Sequence, residues 1–249
     1  MVFEAFRTVR GIIRSLRIYY GDRSRAAAMD RLHGGLVRRG DLVFDIGAHV
    51  GDRVASFRRL GARVVAVEPQ PILVKLLKLF YGRRADVAIE AVAIGRGVGT
   101  ADMMINPDNP TVSTASSEFV SAARDAPGWE TQRWTRSVVV PVTTLDALID
   151  KHGLPAFIKI DVEGFEQEAL LGLTRAVKAL SFEFTIIQRD VALACIERCV
   201  ALGFVRFNAA LGESQTFVNA DWVGSEAIVR WLTGLPAAAN SGDIYAALA

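Results

Sequence analysis

The sequence predicts an α/β fold, a largely parallel sheet with helices on both faces, and two apolar runs carry that expectation. Leu42-Val43-Phe44-Asp45-Ile46 reads as a buried strand that breaks into the turn Gly47-Ala48-His49-Val50-Gly51. Beyond it Val54, Phe57 and Leu60 recur at helical spacing. A second apolar run, Ala62-Arg63-Val64-Val65-Ala66-Val67, ends in Glu68. Strand, glycine turn, helix, strand, acid is the layout of a nucleotide-type ligand site. The glycines let backbone approach the ligand, and the second acid can accept bonds from two ribose hydroxyls. In such sheets ligands bind at the carboxyl ends of the strands, where Asp45, Glu68 and Asp161 all fall.

The remaining elements follow in chain order. Residues 2–20 predict an amphipathic helix, with Phe6, Val9, Ile13 and Leu16 tracing one face and arginines another. Such a helix either packs on the domain or on a partner subunit, or lies on a membrane surface. A helix over 23–38 leads to the strand 42–46, helix 51–61, strand 63–67, helix 70–81 and strand 86–90. Pro69 and Pro71 suit the loop and first turn of that last helix. A further strand is expected over 98–105. The stretch 106–136, rich in Asn, Pro and Ser, reads as a substrate-side lid or a plain surface loop. A strand over 137–142 precedes a helix from Leu145, capped by Thr143 or Thr144. The strand ending at Asp161, a helix over 165–177, a strand over 179–187 and a helix over 190–202 continue the alternation. A terminal hairpin is expected from 203–208 and 214–219, then a helix over 221–233. The expected organisation is an N-terminal helical extension (1–40), one ligand-binding domain (41–235) and a disordered tail (236–249) with little to bury.

Composition bounds the function. The chain has 249 residues, 51% apolar and 22% charged, as for one globular α/β domain with appendages. Lys and Arg number 29 against 27 acids, and the body carries no basic stripe, so nucleic acid is not an expected partner. Cys195 and Cys199 share a helix face without a second pair, which predicts small buried hydrophobes and not a zinc site. No apolar run is long enough to span a bilayer and no secretory signal is evident, so a cytoplasmic enzyme is expected. A homo-oligomer stays open.

The glycine spacing bears on the ligand. A dinucleotide fingerprint is G-x-G-x-x-G, whereas Gly47 and Gly51 form G-x-x-x-G with Asp45 two residues upstream. A carboxylate there repels a pyrophosphate but can hold an ammonium directly or through water. S-adenosylmethionine (SAM) has that ammonium, a ribose diol and no phosphate, which favours it over NAD.

Ala156-Phe157-Ile158-Lys159-Ile160-Asp161-Val162-Glu163-Gly164-Phe165-Glu166 is a second buried strand, ending in carboxylate, x, carboxylate, glycine. With FDIGAHVGD (44–52) and VVAVEPQP (64–71), the segment TTLDAL…FIKIDVEGFE (143–166) resembles the FkbM family of SAM-dependent methyltransferases, over about residues 40–220. The resemblance implies the class I SAM-methyltransferase (Rossmann-like) fold, a mostly parallel seven-stranded sheet closed by an antiparallel hairpin. It also implies SAM as cofactor and O-methylation of a hydroxyl on a sugar or secondary metabolite. His49 departs from the Asn usual in that family.

The expected cofactor contacts are Asp45, Gly47, Ala48, His49, Gly51, Glu68, Pro69, Val92 and Ala93, with the backbone of 91–93 facing adenine. An alcohol is a poor nucleophile until its proton is leaving, so a base is needed. Asp161 and Glu163 are the candidates, since residues two apart in extended chain point to the same side. With Glu183 they could instead hold a divalent cation such as magnesium. Alternatively Asp161 shapes the turn and Glu163 caps the next helix. Lys159, inside an apolar strand, needs an ionic partner. His49 is a second base candidate or a cofactor contact. Trp129, Trp134 and Phe119 either stack on substrate or pin the lid. The competing readings are an NAD-dependent oxidoreductase and a non-catalytic SAM-fold module binding a partner through its basic N-terminal helix.

Overall fold

Alternation along buried strands sets the architecture, because each strand feeds two cores. The computed structural model describes residues 2–249, with side chains from residue 7 onward; the expectation for Phe6 lies outside the described side chains. Helices α1 (Val2–Tyr20) and α2 (Arg23–Gly34) lead into β1 (Leu42–Ile46), α3 (Asp52–Arg59), β2 (Arg63–Val67), α4 (Pro71–Tyr81) and β3 (Val87–Glu90). Next come β4 (Ala93–Ile94), β5 (Gly99–Ile105), α5 (Ser117–Arg124), β6 (Arg136–Thr143), α6 (Leu145–His152) and β7 (Phe157–Ile160). The chain closes with α7 (Glu166–Leu171), β8 (Ala179–Thr185), α8 (Arg189–Ala201), β9 (Arg206–Leu211), α9 (Ser225–Gly234) and β10 (Ser241–Ala247). In β1, Phe44 and Ile46 enter the core built with α6, α7, α8 and α9. Val43 enters the opposite core, built with α2, α3 and α4. No described helix is long and apolar enough to cross a membrane.

The main sheet has seven strands in the order β3-β2-β1-β7-β8-β10-β9. β1, β2, β3, β7 and β8 pair in parallel. β10 is antiparallel to both its neighbours. This is the expected mostly parallel sheet of the class I methyltransferase fold. The strand order reverses between β1 and β7, and a crevice opens at their carboxyl ends. β4, β6 and β5 form a separate three-stranded sheet beside it.

Three expectations need correction. The tail is not disordered: β10 lies between β8 and β9, with Gly242 to Ala247 all buried. Its alanine-rich sequence offers little side-chain signal, yet inside the sheet its whole backbone is paired. The closing hairpin is therefore made by β9 and β10; residues 214–219 are a loop held by the Val218 N–H to the Ala209 carbonyl (2.8 Å). The third correction concerns 106–136, which is built around α5 and a short 3₁₀ turn, Pro110–Val112. There Phe119 packs edge-on against Trp129 and Trp134, at 5.2 and 6.2 Å, and Phe119 and Trp129 are buried. These rings pin the segment to one another, one of the two roles expected for them. Cys195 and Cys199 are free and buried, as expected.

Candidate active site

The turn after β1 is built around Gly47. Its φ is +84°, and a Cβ there would sit 1.8 Å from the Asp161 carbonyl oxygen. Only glycine lets this turn cross the end of β7 so closely. The N–H groups of Gly47 and Ala48 both donate to the Val67 carbonyl, at 2.9 Å each. His49 follows at φ 46°, a left-handed conformation that costs a non-glycine residue about 1 kcal/mol or more. Its N–H donates to Glu68 Oε2 (2.9 Å), while the Gln70 N–H donates to Oε1 (2.8 Å). Glu68 is thus fixed by one backbone donor per oxygen, and each oxygen keeps a lone pair for a ligand. Burial pushes its carboxyl up to about 7.

Beneath this turn lies a cavity with room for about 90 Å³ of solvent centres, open on one side. Of the expected cofactor contacts, Gly47, His49, Glu68, Pro69, Val92 and Ala93 line it. Asp45, Ala48 and Gly51 do not. Ala48 is packed in the core beside α3. Gly51, at φ +84°, backs onto α4, where a Cβ would press on Tyr81 and Leu77 at 2.8 and 2.9 Å. Asp45 sits behind the lining, 1% exposed, with Oδ2 meeting no donor among the described residues. Burial raises its carboxyl to about 7.

The cavity has two chemical ends. Val67, Val92, Ile94, Met103 and Phe165 give an apolar slot, while Asp52, Asp161, Glu163, Glu183 and Glu213 add carboxylates to Glu68. Arg53 is the cationic side chain among the described lining residues. His49 does not add charge, because burial lowers its ring to about 4. The imidazole is neutral near pH 7, 3.4 Å from Thr111 Oγ1, and too weakly basic to be a proton acceptor of choice. Such a lining suits a cationic ligand with an apolar portion and opposes a pyrophosphate.

Asp161 and Glu163 come together at the acidic end with different environments. Lys159, 1% exposed, pairs with Asp243 at 2.7 Å and Asp161 at 3.3 Å. Burial pushes Asp161 up, but Lys159 and Arg53 (3.9 Å) more than offset it and hold the carboxylate below its usual range. Glu163 has φ 54° and is 6% exposed; its carbonyl accepts from Thr114 Oγ1 (2.6 Å), while its carboxyl has no hydrogen-bond partner among the described residues. Burial first, then Asp161 and Glu166, push Glu163 well above the usual carboxyl range. Glu183 is raised for the same reasons, by burial and by Asp161 and Glu163. Oxygens of Asp161, Glu163 and Glu183 lie within 4.8 Å of one another, an oxygen-only set of the kind that could hold a magnesium-like cation. Among the described residues neither the Asp161 nor the Glu163 carboxyl accepts a backbone N–H. The turn is held instead by Glu166 Oε1, which accepts from the Val162 and Gly164 N–H groups (3.0 and 3.3 Å).

Sequence reasoning missed much of the rim. Tyr19, from the last turn of α1, lines the cavity and stands edge-on to His49 at 5.8 Å. The N-terminal extension is therefore part of the site wall. Arg53 bonds Asp52 (3.0 Å) and Glu213 (3.4 Å), and Arg25 joins Glu213 (2.6 Å) to Asp52 (3.2 Å). Arg7 anchors α1 to the 106–116 segment through Asp108. No local pattern in the sequence announces these contacts. Lys159 did signal a missing partner, which proved to be Asp243 in the supposed tail.

The family model described as Methyltransferase FkbM domain matches residues 45–227. A search of curated proteins finds no match. Among solved structures, magnesium protoporphyrin IX methyltransferase from Synechocystis PCC 6803, with bound SAM, is similar at 11% identity and TM-score 0.49, over 100% of this chain and 92% of that one. A TehB-like SAM-dependent methyltransferase from Corynebacterium glutamicum gives 13% identity and TM-score 0.45, over 89% and 88%. Precorrin-6y C5,15-methyltransferase from Geobacter metallireducens gives 15% identity and TM-score 0.44, over 90% and 87%. By the extent of the family match, across the β1 turn and the Asp161–Glu163 segment, the chain belongs to the FkbM methyltransferase domain family and is a SAM-dependent methyltransferase.

Proposed function

We propose that this enzyme methylates a hydroxyl oxygen of a sugar, glycan or secondary metabolite, with Glu163 as the proton acceptor. The observation that carries the reading is the Glu163 carboxyl, buried and without a hydrogen-bond partner among the described residues, beside an Asp161 that two cations keep ionised. In its ionised form a raised carboxyl is the stronger base; it takes the hydroxyl proton as the new C–O bond forms and the bond from the methyl carbon to the sulfonium sulfur breaks, leaving a neutral thioether.

Bound SAM supplies an electrophilic methyl group on a sulfonium. In this reading the free lone pairs of Glu68 accept the two ribose hydroxyls, and the Val92–Ala93 backbone borders the base within the apolar slot. Gly47 gives the ligand backbone access at the turn. Asp45 acts from behind the lining through its field and not by contact. The acidic end balances a cationic ligand, and Asp161, held by Lys159, fixes the side of the pocket on which the acceptor hydroxyl rests. The same acidic lining supports this reading over the NAD-dependent one.

Mass spectrometry of reactions with a panel of glycans and metabolites tests the proposal. The expected result is an added methyl on oxygen, with Glu163→Gln lowering kcat by roughly 10²–10⁴ while SAM affinity holds. A methyl found on carbon or nitrogen, or an unaffected Glu163→Gln rate, overturns it. Full activity in EDTA would show that the three carboxylates act without a cation.

A further inference from the structure

α1 meets α4 through a shared apolar cluster that also includes Val50. Ile12 packs with Leu73, and Leu16, Tyr19 and Leu76 close that cluster. At the far end Tyr20 and Tyr81 share a hydrogen bond of 3.1 Å between their hydroxyls. Leu16, Tyr20, Phe80 and Tyr81 line an apolar groove between the two helices. On its lips the apolar side chains are turned outward: Val9 and Ile13 are 46% and 44% exposed, and Leu79 is 78% exposed. Ile72 and Phe80 add to the same face at 36% and 40%. Each helix buries its opposite side, so this exposure is not a sign of a poorly packed element.

The charge bordering that face has one sign. Among the described residues, Arg14 and Arg17 on α1 are exposed and form no ion pair, and Lys75 and Lys78 on α4 are exposed and unpaired in the same way. Arg10, also exposed, reaches only Asp108, at 3.5 Å. From residue 7 onward neither helix carries an acidic side chain; Glu4, near the start of α1, precedes that stretch. An aliphatic and aromatic strip bordered by arginine and lysine matches the two layers of a lipid surface, acyl chains beneath anionic headgroups.

We propose that the α1–α4 face docks on an anionic membrane surface. The apolar strip enters the headgroup boundary and the basic rim meets the lipid phosphates. Because Tyr19 on α1 and Pro69, just before α4, both line the cavity, docking brings the cavity rim to the membrane and favours an acceptor presented there. The chemistry of the face also distinguishes a membrane from a second copy of this chain, since two such faces would set like charges against each other.

Vesicle co-sedimentation of the full chain tests this. Vesicles of phosphatidylcholine with phosphatidylserine should bind the protein, while pure phosphatidylcholine should bind it weakly, and added salt should release it. Arg14→Glu with Arg17→Glu should weaken binding about fivefold or more per position. Ile13→Ser with Leu79→Ser should weaken it at least about tenfold. Thermal melting should be little changed in both double variants, because the replaced side chains are exposed, and turnover of a soluble acceptor should be unaltered. Equal binding to neutral and anionic vesicles, or unchanged binding by both double variants, overturns the proposal. Light scattering that shows a dimer abolished by Leu79→Ser, with no vesicle binding, would assign the face to a second copy instead.

Discussion

Glu68→Gln separates the two tasks assigned to Glu68, holding the turn and holding a ribose. Each carboxylate oxygen receives one backbone N–H, from His49 and from Gln70. An amide keeps one acceptor oxygen and turns its NH₂ toward the other donor. One buried N–H is then orphaned, at a cost of about 1–3 kcal/mol at any pH. Against this stands the cost of ionising a carboxyl that burial has raised from 4.5 to about 7. A group raised in this way lends stability that is complete below about pH 4.5 and lost as pH climbs through about 7. Linkage puts the loss at roughly 1.4 kcal/mol by pH 5.5 and roughly 3 kcal/mol by pH 8.5. The variant escapes that loss, so its deficit relative to the parent should shrink by about 2 kcal/mol between the two pH values. Urea denaturation at both pH values reads this directly. Calorimetry with SAM should show a drop of roughly tenfold or more at pH 8.5, where Glu68 is ionised and one charged ribose bond of about 1.5–3 kcal/mol is lost, and a smaller drop at pH 5.5, where the parent carboxyl is itself neutral. A pH-independent deficit would refute the burial argument. Unchanged SAM affinity would refute the ribose assignment.

Other consequences follow from single contacts. Gly47→Ala sets a Cβ where only 1.8 Å separates it from the Asp161 carbonyl, at a φ that disfavours alanine. Unfolding free energy should fall by about 3 kcal/mol or more, and SAM binding should be lost; chemical denaturation and calorimetry check it. Lys159→Met strands Asp243 and Asp161 and should cost about 3–5 kcal/mol, and adding Asp243→Asn should recover a large part of it in the same assay. A chain stopped after Asn240 loses β10 from between β8 and β9 and should not fold, as circular dichroism and yield would show. A stable, folded truncation would contradict the topology.

What the sequence revealed and what it hid divide along sequence distance. The β1 turn, Glu68 and the Asp161–Glu163 pair were legible because each is a local pattern whose spacing has one economical geometry. α1 was legible as an amphipathic helix, but which side it buries depends on Val50 and Leu73, far along the chain. Tyr19 therefore could not be seen as part of the cavity wall. The tail failed for a different reason: alanine carries little strand preference, and only the unpaired edges of β8 and β9 demand a strand there. Lys159 was the best available clue, since a buried ammonium requires an acid, and Asp243 is that acid. Asp45 kept its place at the strand end but faces the core side of the sheet with Lys159, its register partner, a matter of parity that the motif alone did not settle.

Calorimetric titration of the full chain with SAM tests the central claim most directly. The acidic and apolar ends of the cavity predict saturable binding of one equivalent, weakened by Glu68→Gln and abolished by Gly47→Ala. They also predict no heat from NAD, whose pyrophosphate the carboxylates repel. Absence of SAM binding at millimolar concentration, or tighter binding of NAD, would contradict the account.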